Sequence, residues 1–371
     1  MSSLIVESSG RINMIGEHID YNGGCVLPGS IDKKIRFKFN KIEGQECLIK
    51  SLTLDKEFRF NFSDLSQRKV HWENYIIGAI NNLINKNFLK LSAFSCEISS
   101  FLPIGAGISS SSSLICGIVK GVLELNNLKL SNNKIIDIVL DVEHNYIGLK
   151  GGIMDQFTIL NGKKDNLILL KCHNRDFKFI PSNLKNFKIL LLNTNVEHNL
   201  ANTAYNERVN ECNDALKIIN EYSDTNHDYL CKVPVKVLNK NRSLLSNKVY
   251  NRASFVLNEN IRTIKSAELL QKNKLFEFGS LMYESHYGLS KLYEVSCEEL
   301  DFLVGLTRKH EKIIGSRMMG GGFGGCTINL IEEDFVDQFV DECCKAYFKK
   351  FGKETTPILT ILDNGITIKK T

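Results

Sequence analysis

Three stretches of this sequence carry residue types at spacings that can do chemistry. The first, Glu17-His18-Ile19-Asp20-Tyr21-Asn22, puts two carboxylates, an imidazole, a phenol and an amide side by side. That mixture of donors and acceptors suits a neutral polyhydroxylated ligand, whose hydroxyls both give and accept hydrogen bonds. A metal held by His18 and the acids is a second reading, weakened because no further His or Cys cluster has matching spacing. Asn22-Gly23-Gly24 is also a turn signal, and a solvated turn is the bland alternative. The second stretch runs from Leu102 to Leu114, where Pro103, Gly105 and Gly107 break the chain before Ser109 to Ser113. A glycine loop feeding a helix start gathers unpaired N–H groups at the positive end of the helix dipole, a ready anion site. A flexible linker ending in a serine-capped helix explains the same stretch equally well. The third, Met318 to Cys326, formally satisfies G-x-G-x-x-G over Gly320 to Gly325. It runs into a strand, whereas the dinucleotide fingerprint needs strand, loop, helix, so that reading fails. No P-loop, H-R-D or D-F-G occurs.

The elements that must position these stretches follow from periodicity. Ile35 to Phe39 and Phe58 to Phe62 alternate and predict strands, as do Cys25 to Pro28 and Phe94 to Ile98. Helices are expected from His71, where Trp72 reads as a core anchor, over the apolar run 114–125, and from Ser131, whose hydroxyl caps a face of Ile135, Ile136, Ile138, Val139 and Val142. Asp155 opens another helix after the glycines of 148–152; a lone Asp in a first turn is usually a dipole partner. After the polar link 182–186 come a buried strand at 187–194, helices at 201–222, 251–271, 276–292, 297–310 and 332–351, and closing strands on either side of Asn364-Gly365.

Length and composition bound the rest. The 371 residues suggest two domains, divided at 185/186, and 43% hydrophobic with 24% charged residues is ordinary for a globular protein. The net charge of +5 is spread along the chain, which argues against nucleic-acid binding. No apolar run is long enough to span a membrane and no signal peptide opens the chain. Eleven cysteines, an odd number without a Cys-x-x-Cys pair, read as reduced thiols; a cytoplasmic, monomeric protein is expected.

Gly10 to Gly24 closely resembles the galactokinase signature. Leu102 to Leu114 and Met318 to Cys326 resemble the phosphate-binding and third motifs of the galactose, homoserine, mevalonate and phosphomevalonate (GHMP) kinases. Trp72-Glu73-Asn74-Tyr75, Gly152 to Phe157, Asn193 to His198 and Glu284-Ser285-His286 extend the likeness over most of the chain. The resemblance implies an α+β, two-domain GHMP kinase fold: residues 1–185 a mixed α/β domain, and 186–371 a ferredoxin-like domain whose glycine-rich loop 318–326 closes the cleft. It also implies ATP-dependent phosphorylation of galactose at the anomeric hydroxyl. By position, Asp155 matches the catalytic aspartate and Arg11 the arginine beside it. Glu17, His18, Ile19, Asp20, Gly152 and Tyr205 match sugar-binding positions. Gly105, Ala106, Gly107, Ile108, Ser109, Ser110 and Ser111 match the ATP-binding loop, and Ser111 with Glu143 the Mg2+ ligands. These roles suit phosphoryl transfer, which asks a protein mainly to position groups and neutralise charge. Two departures stand out: Ile19 replaces the usual threonine and Ser112 the usual alanine. An N-acetylgalactosamine kinase, or a kinase for another pyranose, shares all three motifs. A non-catalytic galactose- and ATP-sensing regulator is the rival from another class, opposed by the complete serine run with Arg11 and Asp155 both present.

Overall fold

Period-two alternation builds the larger sheet. In β3 (Pro28–Lys41) Ile35, Phe37 and Phe39 are buried while Arg36 and Lys38 are exposed, as in any strand with one covered face. The computed structural model describes residues 3–103, 105–196, 201–223 and 225–370; Ile104, Glu197 and His198 lie outside the described residues. The sheet holds, in order, β13 (Thr367–Lys370), β1 (Leu4–Asn13), β3, β6 (Phe94–Ser100), β4 (Glu46–Ser51) and β5 (Lys56–Asn61). A small sheet joins β2 (Cys25–Val26), β7 (Asn166–Lys171) and β8 (Asp176–Pro181). Helices α1 (His71–Asn81), α2 (Ser110–Leu125), α3 (Asn132–Asp141) and α4 (Met154–Asn161) accompany these strands.

Helix α2 lies against β1 and β3 because two of its residues have no side chain to hold it off. A Cβ at Gly117 would sit 2.1 Å from the Phe37 ring, and one at Gly121 2.0 Å from that of Phe39. The close approach fixes where the helix begins, and hence where the serine run faces. Ser131 caps α3 as expected, accepting from Lys134 N–H, and Ile135, Ile136, Ile138 and Val139 are buried.

The remaining strands form an antiparallel sheet in the order β10 (Ile313–Met318), β11 (Cys326–Glu332), β9 (Phe187–Asn193), β12 (Thr356–Thr360). β9 is apolar without alternation because both its faces are covered. Ile189 and Leu191 join the main core, whereas Leu190 and Leu192 join a second cluster with Leu303, Phe339 and Tyr347. Around it lie α5 (Ala201–Glu221), α6 (Val235–Lys240), α7 (Asn247–Gln271), α8 (Leu275–Lys291), α9 (Glu298–Thr307) and α10 (Val336–Phe351). α7 starts one turn earlier than its apolar pattern suggested, since Ser246 accepts from Val249 N–H and caps it there.

The closing strands part company. β12 pairs with β9, while β13 crosses back to pair with β1, so residues 1–185 do not complete their own sheet. Among the described residues no helix is long and apolar enough to cross a membrane.

Candidate active site

Arg11 emerges near the end of β1, almost fully buried, and its guanidinium is spent on three acceptors. Nε lies 2.7 Å from Asp155 Oδ1, Nη2 2.9 Å from Oδ2, and Nη1 2.6 Å from the Gly107 carbonyl. The planar fork thus grips the carboxylate bidentately and touches the serine loop with its third nitrogen. Asp155 is in the first turn of α4, where a dipole role was the bland alternative; a fork, and a hydroxyl of Ser109 donated to Oδ2, are more than a dipole partner needs. A serine cap on α2 was the bland alternative for the serine run, and Ser109 is the residue in that place. It stands at the cap position with φ +63° but caps nothing by side chain. Two other serines of the run also bond away from the helix: Ser112 donates to Glu143 (2.6 Å) and Ser113 to the Ser8 carbonyl (3.0 Å).

On the opposite wall the loop 17–24 meets the glycine-rich loop. Glu17 is buried and its Oε1 accepts from Arg317 Nη2 at 3.0 Å and from Gly320 N–H at 2.9 Å. Burial alone would push this carboxyl up, but Arg317 and Arg11 outweigh it and hold the group below the usual carboxylate range. Asp20 forms no ion pair among the described residues. Burial, with repulsion from Asp155, pushes it up to about 7. Gly152 must be glycine here, since a Cβ would lie 2.2 Å from Asp20 Oδ2. Tyr205, from α5, packs its ring at a tilt against that of His18, with centroids 5.2 Å apart.

These groups line one open cavity with about 810 Å³ of non-protein space, part of it solvent. Arg11, Glu17, His18, Asp20, Ser111, Glu143, Gly152, Asp155 and Tyr205 all face it. Ile19 does not: its side chain is buried in the core and its carbonyl accepts from Gly24 N–H at 2.7 Å. It shapes the loop from behind, and a threonine hydroxyl there would have faced apolar neighbours. Of the serine loop only Ser111 and Ser112 reach the cavity lining; Gly105 to Ser110 do not line it, Ala106 and Ile108 are buried, and the carbonyls of Gly107 and Ile108 accept from Arg11. The glycine-rich loop 318–326 comes close to the serine loop at Gly320, where a Cβ would stand 3.1 Å from the Gly107 carbonyl oxygen.

Comparison with known proteins gives the family. Residues 74–163 fit the GHMP kinases N terminal domain and 266–349 the GHMP kinases C terminal domain. Residues 2–41 fit the galactokinase galactose-binding signature. A galactokinase of Clostridium tetani is 39% identical over 93% of this chain and 88% of its own. One of Thermosipho africanus is 36% identical, covering 98% and 99%. The chain belongs to the galactokinase family. The crystal structure of Lactococcus lactis galactokinase complexed with galactose superposes with a TM-score of 0.93, at 31% identity over 98% of this chain and 95% of that one. A mevalonate kinase of Methanococcus jannaschii, 23% identical with a TM-score of 0.66, shares the two-domain α+β GHMP kinase fold.

Kinases of this family use ATP, and the implied Mg2+ can be tested against the galactokinase site. Among the described residues no group of three or more His, Cys, Asp or Glu could hold a metal alone. Glu143 nevertheless fits one. It is a buried carboxylate without an ion pair among the described residues, pushed by burial up to about 8, and it faces the same cavity as Ser111. When phosphates supply most of the ligands, one carboxylate and one hydroxyl suffice. Arg317, which pairs with Glu17, escaped the sequence reading, although a lone arginine in an apolar strand is a visible oddity that could have flagged it.

Proposed function

We propose that the chain phosphorylates galactose at its anomeric hydroxyl with ATP, yielding galactose 1-phosphate and ADP. The observation that carries the reading is the Arg11–Asp155–Ser109 constellation, set beside a wall of buried hydrogen-bonding groups in one cavity. Asp155 takes the proton of the anomeric hydroxyl as its oxygen bonds to the terminal phosphorus and the bond to ADP breaks. Arg11 aims the carboxylate and offsets the charge gathering on the transferred group. Glu17, Asp20 and Tyr205 hold the sugar hydroxyls, and the free N–H groups at the start of α2 face the phosphates. Ser111 and Glu143 would hold Mg2+, which neutralises charge on the nucleotide phosphates. We assign sugar and phosphate loops to residues 1–185 and cleft closure to 186–371, β13 crossing back. A monomer in the cytosol is supported by a cavity complete within one chain and by eleven cysteines that are all free thiols.

The direct test is ADP release with magnesium across a panel of free sugars. Galactose should give the highest kcat/KM; a far higher value with N-acetylgalactosamine or another pyranose would replace the substrate, and sugar binding without turnover would favour the sensing regulator. Asp20 adds a pH dependence. Its folded pKa of about 7 stands above the ordinary 3.8, so it gains a proton as pH falls through about 7, losing its charge and turning one acceptor oxygen into a donor. Calorimetry without nucleotide should therefore find galactose affinity weakening from pH 8 to pH 6, and a flat profile in Asp20→Asn. A sloping profile in that variant removes Asp20 from the sugar wall.

Glu143→Gln should separate the two sites. The KM for MgATP is expected to rise about tenfold or more, consistent with losing an anionic ligand, while galactose binding persists. Because Glu143 is largely protonated at pH 7 in the free protein, the isosteric amide should barely move Tm. Lost stability with normal MgATP kinetics would make Glu143 a structural residue.

A further inference from the structure

His18 is enclosed by three phenol rings, with centroids 5.2 Å from Tyr205, 5.0 Å from Tyr293 and 6.0 Å from Tyr21. Its Nε2 lies 3.1 Å from the Gly321 carbonyl oxygen and its Nδ1 2.8 Å from the Tyr21 hydroxyl. That hydroxyl lies 2.8 Å from the hydroxyl of Tyr293, which lies 3.1 Å from the Cys212 thiol on α5. A phenol can donate or accept, so most of these contacts taken singly have no direction. Together they have one. The carbonyl only accepts, so Nε2 must carry a hydrogen. Burial drives the imidazole down to about 4, against the pull of Glu17 and with Arg208 and Arg317 also opposing a positive charge, so the ring holds that hydrogen alone. Nδ1 must then accept from Tyr21. The Tyr21 oxygen is left to accept from Tyr293, and the Tyr293 oxygen from Cys212.

We propose that Tyr21, Tyr293 and Cys212 are positioning residues that lock His18 as the Nε2–H tautomer, whose single hydrogen ties the loop 17–24 to the Gly321 carbonyl. Adjacent residues of one loop then hold adjacent peptide groups of the other with opposite polarity. Glu17 accepts from Gly320 N–H and His18 donates to Gly321 C=O. The other tautomer would set a nitrogen lone pair against the carbonyl and open the second half of this clasp. Tyr205 closes it from outside, since a Cβ at Gly321 would touch its ring at 3.4 Å. The clasp forms the lip of the cavity, so the chain of phenols governs how firmly the lip is held. Only its kinetic consequence rests on the galactose reading of the site.

The test is nitrogen NMR of protein labelled in its eight histidines, with His18→Asn assigning the signal. His18 should show a protonated Nε2, an accepting Nδ1, and no titration above pH 5. Tyr21→Phe keeps the ring and removes the donor. The Nδ1 shift should move toward that of an unpaired acceptor, and the KM for galactose should rise about tenfold with a smaller change in kcat, as befits one buried acceptor left unsatisfied. Tyr293→Phe acts one link away and should move both readouts the same way by less, about threefold in KM. A protonated Nδ1 in the unmodified protein overturns the proposal, and so do phenylalanine variants with unchanged histidine signals. The spectrum is read without turnover, so failure of galactose as substrate would leave the tautomer assignment intact, and the unmodified protein decides even if a variant misfolds.

Discussion

Asp155→Asn is expected to lower kcat by about 10²–10⁴, the range that general base catalysis supplies. The substitution keeps the size of the side chain and removes its capacity to take a proton. It also spoils the grip of Arg11, because one of the two oxygens that the guanidinium holds at 2.7 and 2.9 Å becomes an NH₂ that cannot accept. Galactose affinity should change far less, since Glu17 and Asp20 are untouched. Steady-state kinetics beside calorimetry separates the two effects. A near-normal kcat would reduce Asp155 to a carboxylate completing the first turn of α4, the role a lone first-turn Asp ordinarily has.

Arg317→Met should be the most damaging change to stability. The arginine is fully buried, and its nitrogens reach the carbonyls of Asn13, Met14 and Met318 at 2.5 to 2.8 Å as well as Glu17. Methionine fills the space but leaves Glu17 without its cation. Breaking a buried pair from one side costs about 3–5 kcal/mol, or roughly 10 °C in Tm at a few degrees per kcal/mol. Adding Glu17→Gln should restore part of the loss, because a neutral amide does not need the cation. Since Glu17 is held below its ordinary range, its contribution is present above that range and fades as pH falls through the lowered value. The loss in Arg317→Met should therefore be largest near neutral pH. A Tm within about 2 °C of the unmodified protein, well under the shift a broken buried pair produces, would make the pair dispensable.

How much of this was legible in the sequence depended on whether a residue's neighbours in the chain were also its neighbours in space. The loop 17–24 and the serine run announced themselves because their chemistry is local. The Ser131 cap was legible for the same reason. β1 was not read as a strand: its interior residues Ser8, Ser9, Arg11 and Asn13 are polar and buried, which erases the alternation. β7 and β8 were missed because a six-residue apolar run is ambiguous between helix and strand, and Phe177 and Phe179 of β8 stay exposed at an edge. The serines showed that their hydroxyls mattered but not where each pointed. Ser109 went to Asp155 and Ser112 to Glu143, partners 46 and 31 residues away.

The return of β13 to β1 has a consequence for synthesis. β1 leaves the ribosome long before β13, which is one of its two neighbours in the sheet. Until then the nascent chain carries an open strand edge, the kind of template on which foreign strands add. β13 therefore works as a latch that shuts only after it too has emerged. A chain cut short before residue 367 would carry Arg11 and Asp155 with that edge exposed, a form suited to aggregation or to capture by chaperones.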